Sequence, residues 1–190
     1  MIVAMSRPMR RDAARNRERL LQEAAAVFTA QGLTGSLEEI ARRSSVSIGT
    51  LYNHFPTRDA LIDALIPDRL AAMAQLATEA EAEPDAWTAF TGFVTALLCV
   101  LTADRGLLEA FTGDHPQAAR LAEACARGQS HFTAVLARAR HEGTIRPDAT
   151  DQDVANLLWA LALLGANAGP SAWQRTLPFV LDGLRTPKST

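Results

Sequence analysis

The chain has 190 residues, 48% of them apolar, so it can bury a core and build one or two domains. Alternating Val/Ile/Thr runs are nearly absent, tyrosine occurs once, and Ala, Leu, Arg and Glu dominate, which excludes an all-β fold and points to an all-α one. Residues 1–60 carry nine Arg against six acids, net +3, whereas the rest carries ten basic against fifteen acidic residues, net −5, the imbalance of a DNA-binding head whose acidic body stays off the duplex.

The first helix is predicted over residues 12–31, with Leu20, Leu21, Ala24, Val27 and Phe28 on its inner stripe and Gly32 as its stop. Arg10, Arg11, Arg15 and Arg17 precede or begin it, either as a solvated charged end or as a flexible arm reaching phosphates or a minor groove. Ser36 and Glu39 stand in capping-box spacing, so a second helix starts at Leu37 and buries Leu37, Ile40 and Ala41. Ser44 and Ser45 break the pattern, and Val46 plugs the core beneath the turn. Ser47 caps a third helix with Leu51 and Phe55 inward and Ile48, Gly49, Thr50, Tyr52 and Asn53 outward. Two short helices joined this way form a helix-turn-helix, whose second helix enters the DNA major groove by its N-terminal end.

The run VSIGTLYNHFPTRDAL resembles the signature of the TetR (tetracycline-repressor) family of bacterial regulators: small Gly49, then Thr50-Leu51-Tyr52, then His54-Phe55, then Arg58 opening the next helix. With the first helix and Gly32, the resemblance covers about the first 65 residues. One departure is Ser45, where the family usually has Gly; a left-handed turn residue is easier for Gly than for Ser. The resemblance implies an all-α chain of about nine helices, with a three-helix DNA-binding head over residues 10–56 and a ligand-binding and dimerisation body over residues 57–186. Matched onto the family pattern, Tyr52, His54 and Arg58 contact phosphates, with Thr34 or Ser36 offering another contact. Ser47, Ile48, Gly49, Thr50 and Asn53 face base edges: Gly49 allows close backbone approach, Asn53 can bond adenine bidentately, and Ile48 can touch a thymine methyl.

A fourth helix starts after Thr57 through Ala60, Leu61, Ala64 and Leu65, and Pro67 predicts a kink or break before it resumes to about residue 83. Pro84 opens a fifth helix with Trp87, Phe90, Val94, Leu97, Leu98 and Leu101 on one face and Phe93 and Val100 on a second, a pattern for deep burial. A short sixth helix spans residues 106–112, and residues 113–116 read as a turn. The seventh, over residues 116–142, turns Leu121, Ala122, Cys125, Phe132, Val135, Leu136 and Ala139 inward. After an extended connector at residues 145–148, Thr150 and Asp153 open an eighth helix containing Val154, Leu157, Leu158, Leu161 and Leu164. The last runs over residues 171–185, and the tail from residue 186 reads as disordered.

The resemblance places an effector pocket among helices four to seven, and Met73, Phe90, Phe93, Leu97, Phe111, His115, Cys125, Gln129 and Phe132 are its candidate lining. Thr91, Thr95 and Asp104 are further polar anchors, and the effector is apolar or amphipathic. It also implies a homodimer through the last two helices, with Leu157, Leu161, Leu164, Leu177, Val180, Leu181 and Leu184 in contact. Cys99 and Cys125 lie on apolar helix faces and read as buried thiols rather than a disulfide. Nothing suggests a metal, a cofactor or an enzyme: there is no HExxH, no phosphate-cradling glycine loop and no CxxC. His131 and His141 lie about 15 Å apart along a helix axis, and Asp114-His115 reads as a polar turn. The N-terminus lacks a signal-peptide core, and the longest apolar candidate span, residues 154–168, is too short to cross a bilayer, which predicts a cytoplasmic protein. The reading is a ligand-responsive transcriptional regulator, a repressor released from a palindromic operator by a small molecule. The alternative is a helical carrier or interaction module without DNA binding.

Overall fold

The computed structural model describes residues 7–112 and 119–187, with the side chains of residues 7–10, 66–73, 111–122 and 125 outside the described set. Among these residues the fold is all-α: α1 (Arg7–Gln31), α2 (Leu37–Arg43), α3 (Ile48–His54), α4 (Arg58–Ala82), α5 (Ala86–Ala103), α6 (Arg105–Thr112), α7 (Ala119–His141), α8 (Asp151–Ala168) and α9 (Pro170–Leu184).

Local chemistry sets the boundaries in the head. Gly32 ends α1 in the left-handed region at φ +82. The Ser36 hydroxyl accepts from Glu39 N–H at 3.1 Å, Ser47 does the same for Thr50 N–H at 3.1 Å, and Thr57 for Ala60 N–H at 3.1 Å, so α2, α3 and α4 each start on a side-chain cap. Ser45, in the turn between α2 and α3, has φ 54 and is the one non-glycine residue with positive φ among the described residues. The left-handed turn is therefore kept without glycine. Its neighbour Ser44 is buried, its hydroxyl donating to the Arg19 carbonyl at 3.4 Å.

Two apolar cores result. The head core joins Leu20, Ala24, Val27 and Phe28 of α1 to Ile40, Leu51 and Phe55, and it takes in Leu61, Ile62 and Leu65 of α4 together with Ala110 of α6 and Ala124 of α7. It therefore reaches beyond residue 56. The body core packs Phe90, Phe93, Val94, Leu98 and Leu101 of α5 against Leu136 and Ala139 of α7, Val154, Leu158 and Leu161 of α8, and Trp173, Leu177 and Leu184 of α9.

Several expectations are corrected. α1 begins at Arg7, so Arg11, Arg15 and Arg17 stand on a helix rather than on a flexible arm. α4 continues as one helix through Pro67, so the expected break is absent. Proline removes one backbone donor, and the rest of the 25-residue ladder carries the helix across the gap. Among the described residues it is α5, not residues 154–168, that has the length and composition of a membrane span, with mean hydropathy 1.7 over 18 residues. It is long and apolar enough to cross a membrane, yet here its apolar face forms the centre of the body core. Cys99 is exposed rather than buried. Thr186 is not loose: its N–H donates to Thr144 O at 2.9 Å beside an antiparallel bridge between Ile145 and Arg185, which fastens the end of α9 to the α7–α8 connector.

Candidate nucleic-acid interface and effector pocket

α3 is turned so that Leu51 and Phe55 enter the head core, leaving Ser47, Ile48, Gly49, Tyr52 and Asn53 exposed and Thr50 and His54 half-buried. Ile48 is 37% and Tyr52 46% exposed, unusual for large apolar side chains that a core could take. Apart from its chain neighbours and its own helix backbone, the nearest atom to a Cβ built on Gly49 is the Ser47 hydroxyl at 3.8 Å. The helix backbone is thus bare on this side. Thr50 Oγ1 lies 2.9 Å from Ser47 Oγ, so the two hydroxyls orient each other beside the α3 N-terminus. The arrangement presents polar side chains, one aromatic and one aliphatic, plus bare backbone on a short helix, the inventory that reads base edges and sugar-phosphate.

Two of the expected phosphate contacts are otherwise engaged. Arg58 Nη1 donates to Leu33 O at 2.8 Å and Gly35 O at 2.6 Å, and its guanidinium carbon lies 5.9 Å from the Phe28 ring centroid. Arg58 therefore clamps the α1–α2 turn. The Ser36 hydroxyl caps α2 and donates to Glu38 Oε2 at 3.0 Å. Hydrogen bonds from its own backbone N–H and from Ser36 hold the Glu38 carboxyl below its ordinary range. Beside it, bonds from Arg42 and then Arg43 pull Glu39 from 4.5 down to about 2. Thr34 remains exposed next to this turn. Arg17, at 5.2 Å from the Phe55 ring centroid, is the basic residue that α1 brings beside the end of α3.

In the body, a small half-open cleft lies between α5, α7 and α8. Leu97, Gln129 and Phe132 of the expected lining are there, joined by Leu98, Leu101, Gly128, Ala155, Leu158 and Trp159. Phe90 and Phe93 are buried in the core instead and do not reach it. Thr91 and Thr95 face away with Cys99, lining a separate groove between α5 and α9. Asp104 caps α6, its Oδ1 accepting from Leu107 N–H at 2.9 Å. Met73, Phe111, Cys125, Asp114 and His115 lie outside the residues whose side chains are described. The α8 wall was missed because Val154, Leu157 and Leu161 draw attention to one stripe, whereas Ala155 and Trp159 occupy its flank.

Of the expected dimer contacts, Leu161, Leu177 and Leu184 face the protomer's own core and are corrected to core residues. Val180 and Leu181 are half-buried against it. Leu157 and Leu164 do face outward, together with Leu163 and Phe179, the latter 77% exposed.

Comparison with known proteins agrees with this geometry. Residues 20–65 match the family model "Bacterial regulatory proteins, tetR family", and residues 83–186 match "Transcriptional regulator SbtR-like, C-terminal domain". The HTH-type transcriptional regulator UidR of Escherichia coli strain K12 is 28% identical over 160 residues, 79% of each chain. A TetR transcription regulatory protein from Mycobacterium vanbaalenii is 33% identical, with 94% of this chain and 100% of that one covered and a TM-score of 0.54. The same fold recurs, at 16% identity and a TM-score of 0.69 over 91% of this chain and 100% of that one, in AibR, solved in complex with isovaleryl coenzyme A and operator DNA. A capped reading helix on its own small core, a helical body behind it and matches along most of the chain lead to one conclusion: the protein belongs to the TetR family of DNA-binding transcriptional regulators.

Proposed function

We propose that the protein is a cytoplasmic repressor that binds a palindromic operator as a homodimer and is released when a small, uncharged, apolar molecule enters the pocket between α5, α7 and α8. The observation that carries this reading is the pairing of an outward-facing α3 with a body pocket whose lining is apolar except for Gln129 and the Trp159 indole. Among the described residues no ionised side chain lines that pocket, so a charged ligand group buried against them would go unpaired at large cost. Gln129 offers one amide donor and one acceptor, enough to orient a carbonyl or hydroxyl. Two heads presenting their α3 helices to half-sites about 34–36 Å apart would read a palindrome.

Tyr52, His54 and Thr34 serve the backbone in this reading, and Ser47, Ile48, Gly49, Thr50 and Asn53 the bases. The test starts with a duplex selected by the protein from a random pool. Binding should weaken steeply with salt, and Asn53→Ala should relax preference at one base pair per half-site, by about 1–3 kcal/mol. Failure to enrich any duplex, with the chain folded, would return the protein to the carrier reading.

A further inference from the structure

We propose that Glu109 is the positioning residue through which the occupied pocket acts on the DNA-reading head, an inference that rests on the effector-released reading above. α6 hangs directly from the pocket wall. Leu97, Leu98 and Leu101 of α5 line the pocket, and a single residue, Asp104, separates α5 from α6. Asp104 is tied to both helices, its N–H donating to Val100 O at 3.2 Å while its carbonyl accepts from Leu108 N–H at 3.0 Å. A displacement of the α5 end must therefore carry α6 with it.

At its other end α6 packs on the head, with Ala110 in the head core and Glu109 making a hydrogen bond to it. Glu109 Oε2 accepts from Leu33 N–H at 2.8 Å, across 76 residues of sequence. The partner oxygen accepts from Arg105 Nε at 3.1 Å, which fixes the carboxylate's orientation. The approach is close: a Cβ on Gly106 would meet Phe28 O at 2.8 Å, and one on Gly32 would meet the Glu109 carboxylate at 2.3 Å. Leu33 O and Gly35 O are held from the opposite side by Arg58. Residues 32–35 are thus gripped between a body carboxylate and a head guanidinium, and they end at Ser36, the cap that starts α2.

Apolar contacts root several body elements in the head core, Leu61, Ile62 and Leu65 from α4, Ala110 from α6 and Ala124 from α7. Glu109, by contrast, is about one-third exposed, at 33% of its side-chain surface. A charge-assisted bond at such a site can exchange with water at little cost, whereas a buried apolar contact cannot. Entry of a molecule between α5, α7 and α8 would move α6, pull or release Leu33 N–H, and shift α2 relative to α3.

A bulky residue in the pocket can replace the effector in a test. Ala155→Phe fills the pocket from α8; Ala155→Leu serves if the ring prevents folding. On the selected duplex, filling should lower the wild-type affinity roughly 5–150-fold. In a Glu109→Ala background the same filling should change affinity less than about twofold, well below that coupling range. Glu109→Gln keeps a carbonyl acceptor and should restore most of the response. Amide exchange at Leu33 should change on filling the otherwise wild-type protein, while Ile40, inside α2, keeps its rate. A full response in the Glu109→Ala background, or an unchanged Leu33 amide, overturns the role of Glu109 and leaves the regulator reading standing. No loss of DNA binding on filling the wild-type pocket overturns the effector reading itself, and this proposal with it.

Discussion

Arg58 sits in the first turn of α4, with Nη1 between the carbonyls of Leu33 and Gly35. By sequence position it matches a family phosphate contact, yet the geometry gives that nitrogen two protein acceptors. Arg58→Ala should therefore destabilise the protein by about 2 kcal/mol, since two backbone carbonyls lose a charged donor. Denaturant titration measures that loss, and duplex affinity per folded molecule should stay close to wild type. An affinity loss with stability intact would restore the phosphate role. The outward placement of Tyr52 and Asn53 was legible because the apolar neighbours Leu51, on the seven-residue helix, and Phe55, its C-cap, turn inward. Arg58 and Ser36 were not legible, because a guanidinium or hydroxyl at the right position does not reveal which acceptor or donor the folded chain brings to it.

At the scale of helices, caps were the most readable feature. Ser36, Ser47, Thr57 and Thr150 all cap as spaced, and at Thr150 both bonds of the box form, Thr150 Oγ1 taking Asp153 N–H at 3.1 Å and Asp153 Oδ2 taking Thr150 N–H at 2.8 Å. Helix faces were harder. α8 has three uses, core, pocket and outer surface, and apolar spacing cannot separate them when leucine serves all three. The charges of α2 carry a pH signature. Glu39 titrates at about 2 rather than 4.5 because it accepts from Arg42 at 2.7 Å and from Arg43 at 2.7 Å. A carboxyl lowered on folding adds stability that is fully present above 4.5 and lost as pH falls through about 2. Thermal melts of wild type against Glu39→Gln should show the larger loss in the wild type across that window. Parallel curves would mean that the arginines do not hold Glu39 in solution.

At the scale of the molecule, the exposed large apolar side chains among the described residues divide between two places, α3 and the outer face of α8 and α9. Phe179, with Leu157, Leu163 and Leu164, is the surface expected to pair protomers. Phe179→Asp should leave the protomer folded, since that ring is 77% exposed, and convert a dimer into monomers in sedimentation at micromolar concentration. Leu177→Asp, placed in the core, should unfold the body instead. Retention of the dimer by Phe179→Asp would move the interface elsewhere. The head core has a further consequence for anyone wishing to transplant this reading head. Leu61, Ile62 and Leu65 complete it from α4, and Ala110 and Ala124 close it from the body. A fragment of residues 10–56 should lack a folding transition in circular dichroism. A graft cut within the α4 residues after 65 should melt cooperatively only if the recipient body supplies small residues where Ala110 and Ala124 stand. Operator specificity in this protein is therefore not a detachable cartridge: a new sensor made from it inherits two alanines' worth of shape from the body it left.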